Sequence, residues 1–286
     1  MKTTEQILEE ARLEYKPSLI VCCYSGGYDS MVATHRTLAW ARQYQIAQEI
    51  VVASVDTQIH ADGWLEFVRS SAAKIGAGRF EIWQSKRFGE WKTNINKFGF
   101  GYTKYIHTIF FRQLKEAAFQ AMLAHYKTHR HDRIMFVTGM RRLESKARAG
   151  TPEHDRKGSN VWCNPLVDWD EEHVLDYRLE HSLPENPFYS DGLGSGDCLC
   201  NWHRRISVEA LQKRASEAAK IIMPLDAACR SKFGYGYGEK PSGYYAQELA
   251  GQHVLFPDIP YLCAGCERPQ ADNDQRENML MQRLEW

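Results

Sequence analysis

Residues 19–24, LIVCCY, form an unbroken apolar run with β-branched members, and SGGYDS follows at once. A strand with no polar face belongs inside a sheet that is covered on both sides, the situation of a parallel sheet. Gly26 and Gly27 then permit a tight turn and close backbone approach. A helix-like stretch runs from about residue 31 to residue 44. A helix start presents N–H groups without acceptors and the positive end of its dipole. Strand, glycine turn and helix start together form a phosphate cradle, to which Ser25 and Ser30 add hydroxyl donors. Asp29 is an acid in that cradle, so it either holds a magnesium ion that bridges phosphates or caps the helix. The plainer reading is an ordinary strand–helix turn, and the full S-G-G-x-D-S string weighs against it. No G-x-x-x-x-G-K-[ST] occurs, so the loop is not of the Walker type. No G-x-G-x-x-G opens a helix after a strand, which argues against a dinucleotide site.

Further apolar runs read as strands at 50–55 (IVVASV), 80–83 and 134–138 (IMFVT). Helical segments fit 62–74 with Asp62 as N-cap, 104–126 and 171–181. An amphipathic helix fits the N-terminus, with Ile7, Leu8, Ala11 and Leu13 near one face. This alternation predicts an α/β fold, a parallel twisted sheet with helices on both faces. Ligands in such sheets bind beyond the carboxyl ends of the strands. Segments 25–30, 56–60 and 139–145 each follow a strand, so they converge on one edge. From about residue 201 the periodicity weakens, and glycine and aromatics dominate FGYGYGEKPSGYY. The expected division is a nucleotide-binding domain over 1–200 and an irregular, cysteine-bearing extension over 201–286.

Lys+Arg and Asp+Glu both number 36. Global charge therefore does not call for a nucleic-acid partner, although a local basic patch remains open. No run of about 18 apolar residues exists, and the N-terminus lacks a signal-peptide core, so cytoplasmic residence without a membrane span is expected.

In a cytoplasmic chain clustered cysteines lean toward metal or redox use and isolated ones toward packing. Cys22 and Cys23 are adjacent in a strand, point to opposite faces and cannot act as a pincer. Cys163 and Cys229 are isolated. Cys198 and Cys200 form C-x-C, and Cys263 and Cys266 form C-x-x-C. The four thiolates suit one zinc ion or one [4Fe–4S] cluster. A persulfide or redox relay, or plain packing, are the alternatives. Arg141, Arg142 and Arg148 follow a strand, and their planar forks match phosphate or sulfate. Glu144 stands at helical spacing from Arg148. Lys104, Lys115, His60 and His107 read as surface or structural residues.

SGGYDS resembles the PP-loop of N-type ATP pyrophosphatases and PAPS (3′-phosphoadenylyl sulfate) reductases. In the same order, VDTQIHADGWLEFV resembles the family's second-strand segment, VTGMRRLESKARAG its G-x-R-R-x-E-S-x-x-R stretch, and NPLVDWDEEHVLDYRLEHSLPENPFY its P-L-x-D-W segment. The resemblance covers roughly residues 19–200. It implies an adenine nucleotide hydrolase-like fold with adenosine near Val55 and Asp56. The phosphates would lie on Ser25, Gly26, Gly27, Asp29 and Ser30, with Arg148 also binding nucleotide and Asp29, Arg141 and Arg142 serving catalysis. ATP with Mg²⁺ is the implied ligand. PAPS reductases end in E-C-G-L-H, whereas this chain ends in MLMQRLEW. The PAPS reductase-like proteins of DNA phosphorothioation systems are therefore the nearer type. That type implies ATP-driven adenylylation for sulfur transfer, with a cysteine desulfurase or sulfur carrier and a nucleic-acid acceptor as partners. A PAPS reductase using a C-terminal cysteine and a non-catalytic nucleotide-binding subunit stay as alternatives.

Overall fold

In the computed structural model of the chain, residues 2–101, 104–129, 131–145, 148–200 and 206–241 are described. The strands are β1 (Leu19–Cys23), β2 (Glu49–Asp56), β3 (Phe80–Gln84), β4 (Ile134–Val137), β5 (His154–Lys157) and β6 (Asn160–Cys163). They form one sheet in the order β3-β2-β1-β4-β6-β5. All neighbours run parallel except β5, which returns antiparallel beside β6. The α/β expectation holds, with a mixed edge.

The β5–β6 hairpin was not anticipated. HDRK carries no apolar alternation, because β5 is an edge strand with half its residues exposed. A charged edge strand is a common guard against further strand pairing.

Alternation in the central strands sorts the core into two layers. Ile20 and Cys22 join Val52, Met135, Val137 and Cys163 on one face, and Leu19 and Val21 join Val51, Ile134, Phe136 and Trp162 on the other. Helices α1 (Thr4–Tyr15), α2 (Tyr28–Gln43) and α3 (Trp64–Lys74) contribute Leu8, Met31 and Val68 to the first layer. A capping box between Thr3 and Gln6 starts α1. Helix α4 (Phe88–Phe98) adds Trp91 and Ile95. The segment expected as one helix is α5 (Lys104–Phe111), a π-helical turn at Arg112–Glu116, and α6 (Ala117–Tyr126). Phe119, Met122 and Leu123 of α6 cover the second layer. Asp170 caps α7 (Glu171–Glu180) through the His173 N–H at 2.8 Å.

Two local expectations change. Gly63, in the left-handed region at φ 79°, is the N-cap of α3. Asp62 instead turns outward to accept from the N–H and hydroxyl of Ser216, both at 2.7 Å. The extension is not irregular throughout: residues 206–241 contain α8 (Val208–Arg214) and α9 (Ser216–Phe233). Leu211, Ile222, Cys229 and Tyr237 lie in the same core cluster as Ile20 and Met31. Among the described residues, no helix is long and apolar enough to cross a membrane.

Candidate active site

The 25–30 loop sits beyond the carboxyl end of β1 and is shaped largely by its own atoms. The Ser25 N–H donates to Ser30 Oγ at 3.2 Å, and Ser30 Oγ donates to the Gly27 carbonyl at 2.8 Å. The Gly27 N–H donates to Ser25 Oγ at 3.2 Å. The Ser30 proton is thus committed to the loop, so this hydroxyl serves shape before it serves a ligand. Trp64 Nε1 and Asn186 Nδ2 hold the carbonyls of Ser25 and Gly26 at 3.1 and 2.9 Å. Gly26 takes φ 78°, which favours glycine. Gly27 is the N-cap of α2 and brings no side-chain acceptor. The first N–H groups of α2 are therefore left to a ligand, and an anion is what they select.

The loop after β4 presses on this helix start. A Cβ at Gly139 would lie 2.4 Å from the Asp29 carbonyl carbon. That approach delivers Arg141 to Asp29, with Nε–Oδ1 at 3.1 Å and Nη2–Oδ2 at 3.3 Å. The Arg141 side chain is 5% exposed and that of Asp29 28%. A carboxylate has about four lone-pair sites. Asp29 therefore keeps acceptor capacity on an accessible face and fits a magnesium ion held mainly by water and phosphate oxygens.

Arg142 goes elsewhere. It pairs with Asp168, donates to the Thr151 carbonyl at 2.8 Å, and lines a cavity of about 820 Å³ with Lys2, Glu10 and Glu153. In that cavity Lys2 already joins Glu10 and Glu153. Arg148 is buried and paired with Glu144, the partner its spacing indicated. Asp56 ends β2, where Oδ1 accepts from the Gln58 N–H at 2.7 Å and Oδ2 from Gln84 at 2.9 Å. Val55 stands beside it, paired with Trp83 of β3.

The 186–200 segment closes over the same loop. Asn186 Nδ2 also reaches the Ser195 carbonyl at 3.2 Å, and a Cβ at Gly27 would meet Ser195 Cβ at 3.3 Å. Ser195 Oγ donates to Asp197, Lys115 of the π turn pairs with Asp197 at 2.6 Å, and Thr57 Oγ1 donates to the Asp197 carbonyl at 2.7 Å. Cys198 and Cys200 come next, half-buried and hydrogen-bonded to each other. The bond from Cys200 lowers the Cys198 thiol below its ordinary value, burial opposes this, and the Lys115 charge adds to the lowering. Two adjoining thiols fit two ligands of a thiolate-held zinc or iron–sulfur group. Cys263 and Cys266, expected to complete it, lie outside the described residues. Cys22 and Cys163 are sealed in the core, where burial raises Cys22 to about 12 and Cys163 further. They are packing residues.

The sequence profile of the phosphoadenosine phosphosulfate reductase domain matches residues 19–266. The chain belongs to this family. It is 26% identical over 210 residues to an adenosine 5′-phosphosulfate reductase of Staphylococcus haemolyticus, covering 69% of this chain and 76% of that protein. A 65-residue stretch is 40% identical to the adenosine 5′-phosphosulfate reductase of Streptomyces coelicolor, covering 22% of this chain and 28% of that protein. Among solved structures, the PAPS reductase of Candida auris in its phosphate complex is 18% identical with a TM-score of 0.46, covering 66% of this chain and 84% of that one. Within this member of the PAPS reductase family, sequence reasoning missed Lys115, Asn186 and Asp197. Asn186 stood inside the quoted N-P-F-Y segment. Lys115 had no readable signal, because its partner is distant along the chain and only the fold brings them together.

Proposed function

We propose that the chain binds an adenine nucleotide across the ends of β1, β2 and β4 and uses it to drive sulfur transfer, as an ATP pyrophosphatase. The observation that carries this reading is an open helix N-terminus tied through Asn186 to Ser195, in the segment that leads directly into the Cys198–Cys200 thiol pair. The phosphates rest on the N–H groups of residues 28–30, at the start of α2, and the adenosine lies beside Val55 and Asp56. Magnesium, when bound, would be held by Asp29 and neutralise charge on the departing pyrophosphate. Arg141 holds the Asp29 carboxylate in place. Arg148, held by Glu144, is the candidate for the outer phosphates, whereas Arg142 is turned to Asp168. An acceptor oxygen attacks the α-phosphorus in line and pyrophosphate leaves with the bonding electron pair. A sulfur nucleophile then displaces AMP from the adenylylated acceptor. The acceptor is a nucleic-acid group, with a DNA backbone phosphate as the phosphorothioation case. A cysteine desulfurase or sulfur carrier supplies the sulfur.

A second reading, sulfonucleotide reduction, is favoured by the relatives that carry that name. There a cysteine thiolate attacks the sulfur of the adenylyl sulfate, forms a thiosulfonate and releases the nucleotide monophosphate. The products decide between them. AMP and pyrophosphate formed from radiolabelled ATP, with acceptor and persulfide donor present, support the first. Sulfite released from PAPS or adenylyl sulfate supports the second, with a dithiol reductant present to attack the cysteine sulfur of the thiosulfonate and leave as a disulfide. Binding of ATP without turnover in either assay would leave a nucleotide-sensing subunit.

A further inference from the structure

Among the described residues, three arginines have an Nε that is sealed from solvent and lacks a hydrogen-bond acceptor: Arg36, Arg148 and Arg178. Arg36 pairs with Glu5 and Arg148 with Glu144. Arg178 has no carboxylate partner among the described residues, yet it is only 7% exposed. Its guanidinium carbon lies 3.3 Å from the ring centroid of Tyr28, the residue that follows Gly27 in the phosphate loop. Tyr189 stacks on the same ring, with centroids 4.4 Å apart and planes at 22°. Two groups at those distances cannot share one face, so the Tyr28 ring is sandwiched between them. The Tyr189 hydroxyl in turn comes within 3.2 Å of a Cβ built at Gly27.

A buried cation normally has a counter-charge, because desolvation costs more than one aromatic face returns. A guanidinium without a carboxylate partner, held over the ring of the loop's own tyrosine, is preorganised to receive an anion. We propose that Arg178, stacked on Tyr28, forms a second anion subsite beside the phosphate loop. It takes a phosphate-ester group that residues 25–30 do not themselves hold. The proposal rests on the nucleotide reading of the loop. The phosphate ester has two sources, a second phosphate on the nucleotide's ribose or a backbone phosphate of a nucleic-acid acceptor.

Calorimetry on the full chain separates them. One arm compares AMP with adenosine 3′,5′-bisphosphate. The other titrates an eight-residue oligodeoxythymidylate into protein saturated with AMP. In the wild type, one arm should show tight binding conferred by the added phosphate. In R178M that gain should fall by about ten- to a hundredfold, the range of one charge-assisted contact. R178K, which keeps the charge but not the planar stack, should lose less. Loss confined to the bisphosphate arm assigns the ribose source, and loss confined to the oligonucleotide arm assigns the strand. A wild type in which neither phosphate improves binding overturns the subsite, whether or not the variants fold. An equal gain in wild type, R178M and R178K overturns it as well. If AMP itself fails to bind, the loop reading fails, and the oligonucleotide arm without AMP still tests Arg178.

Discussion

The two segments that meet at the site are held in opposite ways. The 25–30 loop ties itself together across at most five residues, through Ser25, Gly27 and Ser30. The 195–200 segment is tied by residues far away in sequence. Lys115 and Thr57 hold Asp197, the Ile59 carbonyl accepts from the Leu199 N–H at 2.7 Å, and Tyr237 Oη donates to the Leu199 carbonyl at 2.6 Å. A loop that makes its own shape can be recognised as a motif. A segment shaped by neighbours takes its place only when the whole domain has assembled. Local unfolding should therefore reach the thiol segment before the phosphate loop.

The largest effect should come from Gly139, where the loop after β4 presses on the backbone of Asp29 and Ser30. An added methyl would strike the Asp29 backbone rather than a movable side chain. Gly139→Ala should cost about 3 kcal/mol or more and remove nucleotide binding. Wild-type melting together with wild-type nucleotide affinity would show that the backbone yields easily. Gly27→Val is expected to be milder for folding but equally harmful to binding. Its Cβ meets Ser25 Oγ and Tyr189 Oη at 3.2 Å, and the further methyls crowd the phosphates.

Next come the adjacent arginines, which the fold sends to different places. Arg141→Ala leaves Asp29 without its partner and should weaken nucleotide binding by about 2–3 kcal/mol, with poor rescue by lysine. Arg142→Ala breaks a more exposed pair with Asp168 and should change binding by less than about 1 kcal/mol. Equal losses in titration calorimetry would return Arg142 to the phosphate site.

A smaller effect tests the distant ties directly. Lys115→Met should destabilise by about 1–2 kcal/mol, since the pair is largely enclosed. Hydrogen exchange should quicken in residues 195–200 and stay slow in residues 25–30. Equal quickening in both would end the contrast.

The smallest effect concerns Asp62. Burial works against its carboxylate, but hydrogen bonds from Ser216 and Glu217 prevail and hold its pKa below 3.8. A depressed pKa stabilises the fold above the unfolded value, and the benefit is lost as pH falls through the folded one. Asp62→Asn should therefore cost under about 1 kcal/mol at neutral pH, with screening at this exposed site limiting the effect. The difference from wild type should vanish in melts well below pH ~4. A gap that persists in acid would point to packing rather than charge.

The fold was legible where one residue pattern carries one structural meaning. LIVCCY could only be a strand buried on both faces, and SGGYDS could only turn sharply into a helix start. β5 was hidden because an edge strand needs no apolar face. Helices α8 and α9 were hidden by a weak apolar pattern in the sequence and are secured through Asp62 and the core contacts of Leu211 and Ile222. Arg141 and Arg142 looked equivalent because adjacent residues of one type carry no label for direction.

The sequence by itself determined the central strand β1, the phosphate loop and the family, because these are written in local patterns: an unbroken apolar run, a glycine turn and motifs in a fixed order. Tertiary structure alone decided that Arg141 faces Asp29 while Arg142 turns away, that Lys115 is an ion-pair partner rather than a surface charge, and that Ser195, a few residues before the Cys198–Cys200 pair, is packed against the phosphate loop. Each of those outcomes depends on a partner many residues distant. The energy that selects such a partner exists only once the sheet and its helices have brought the two together.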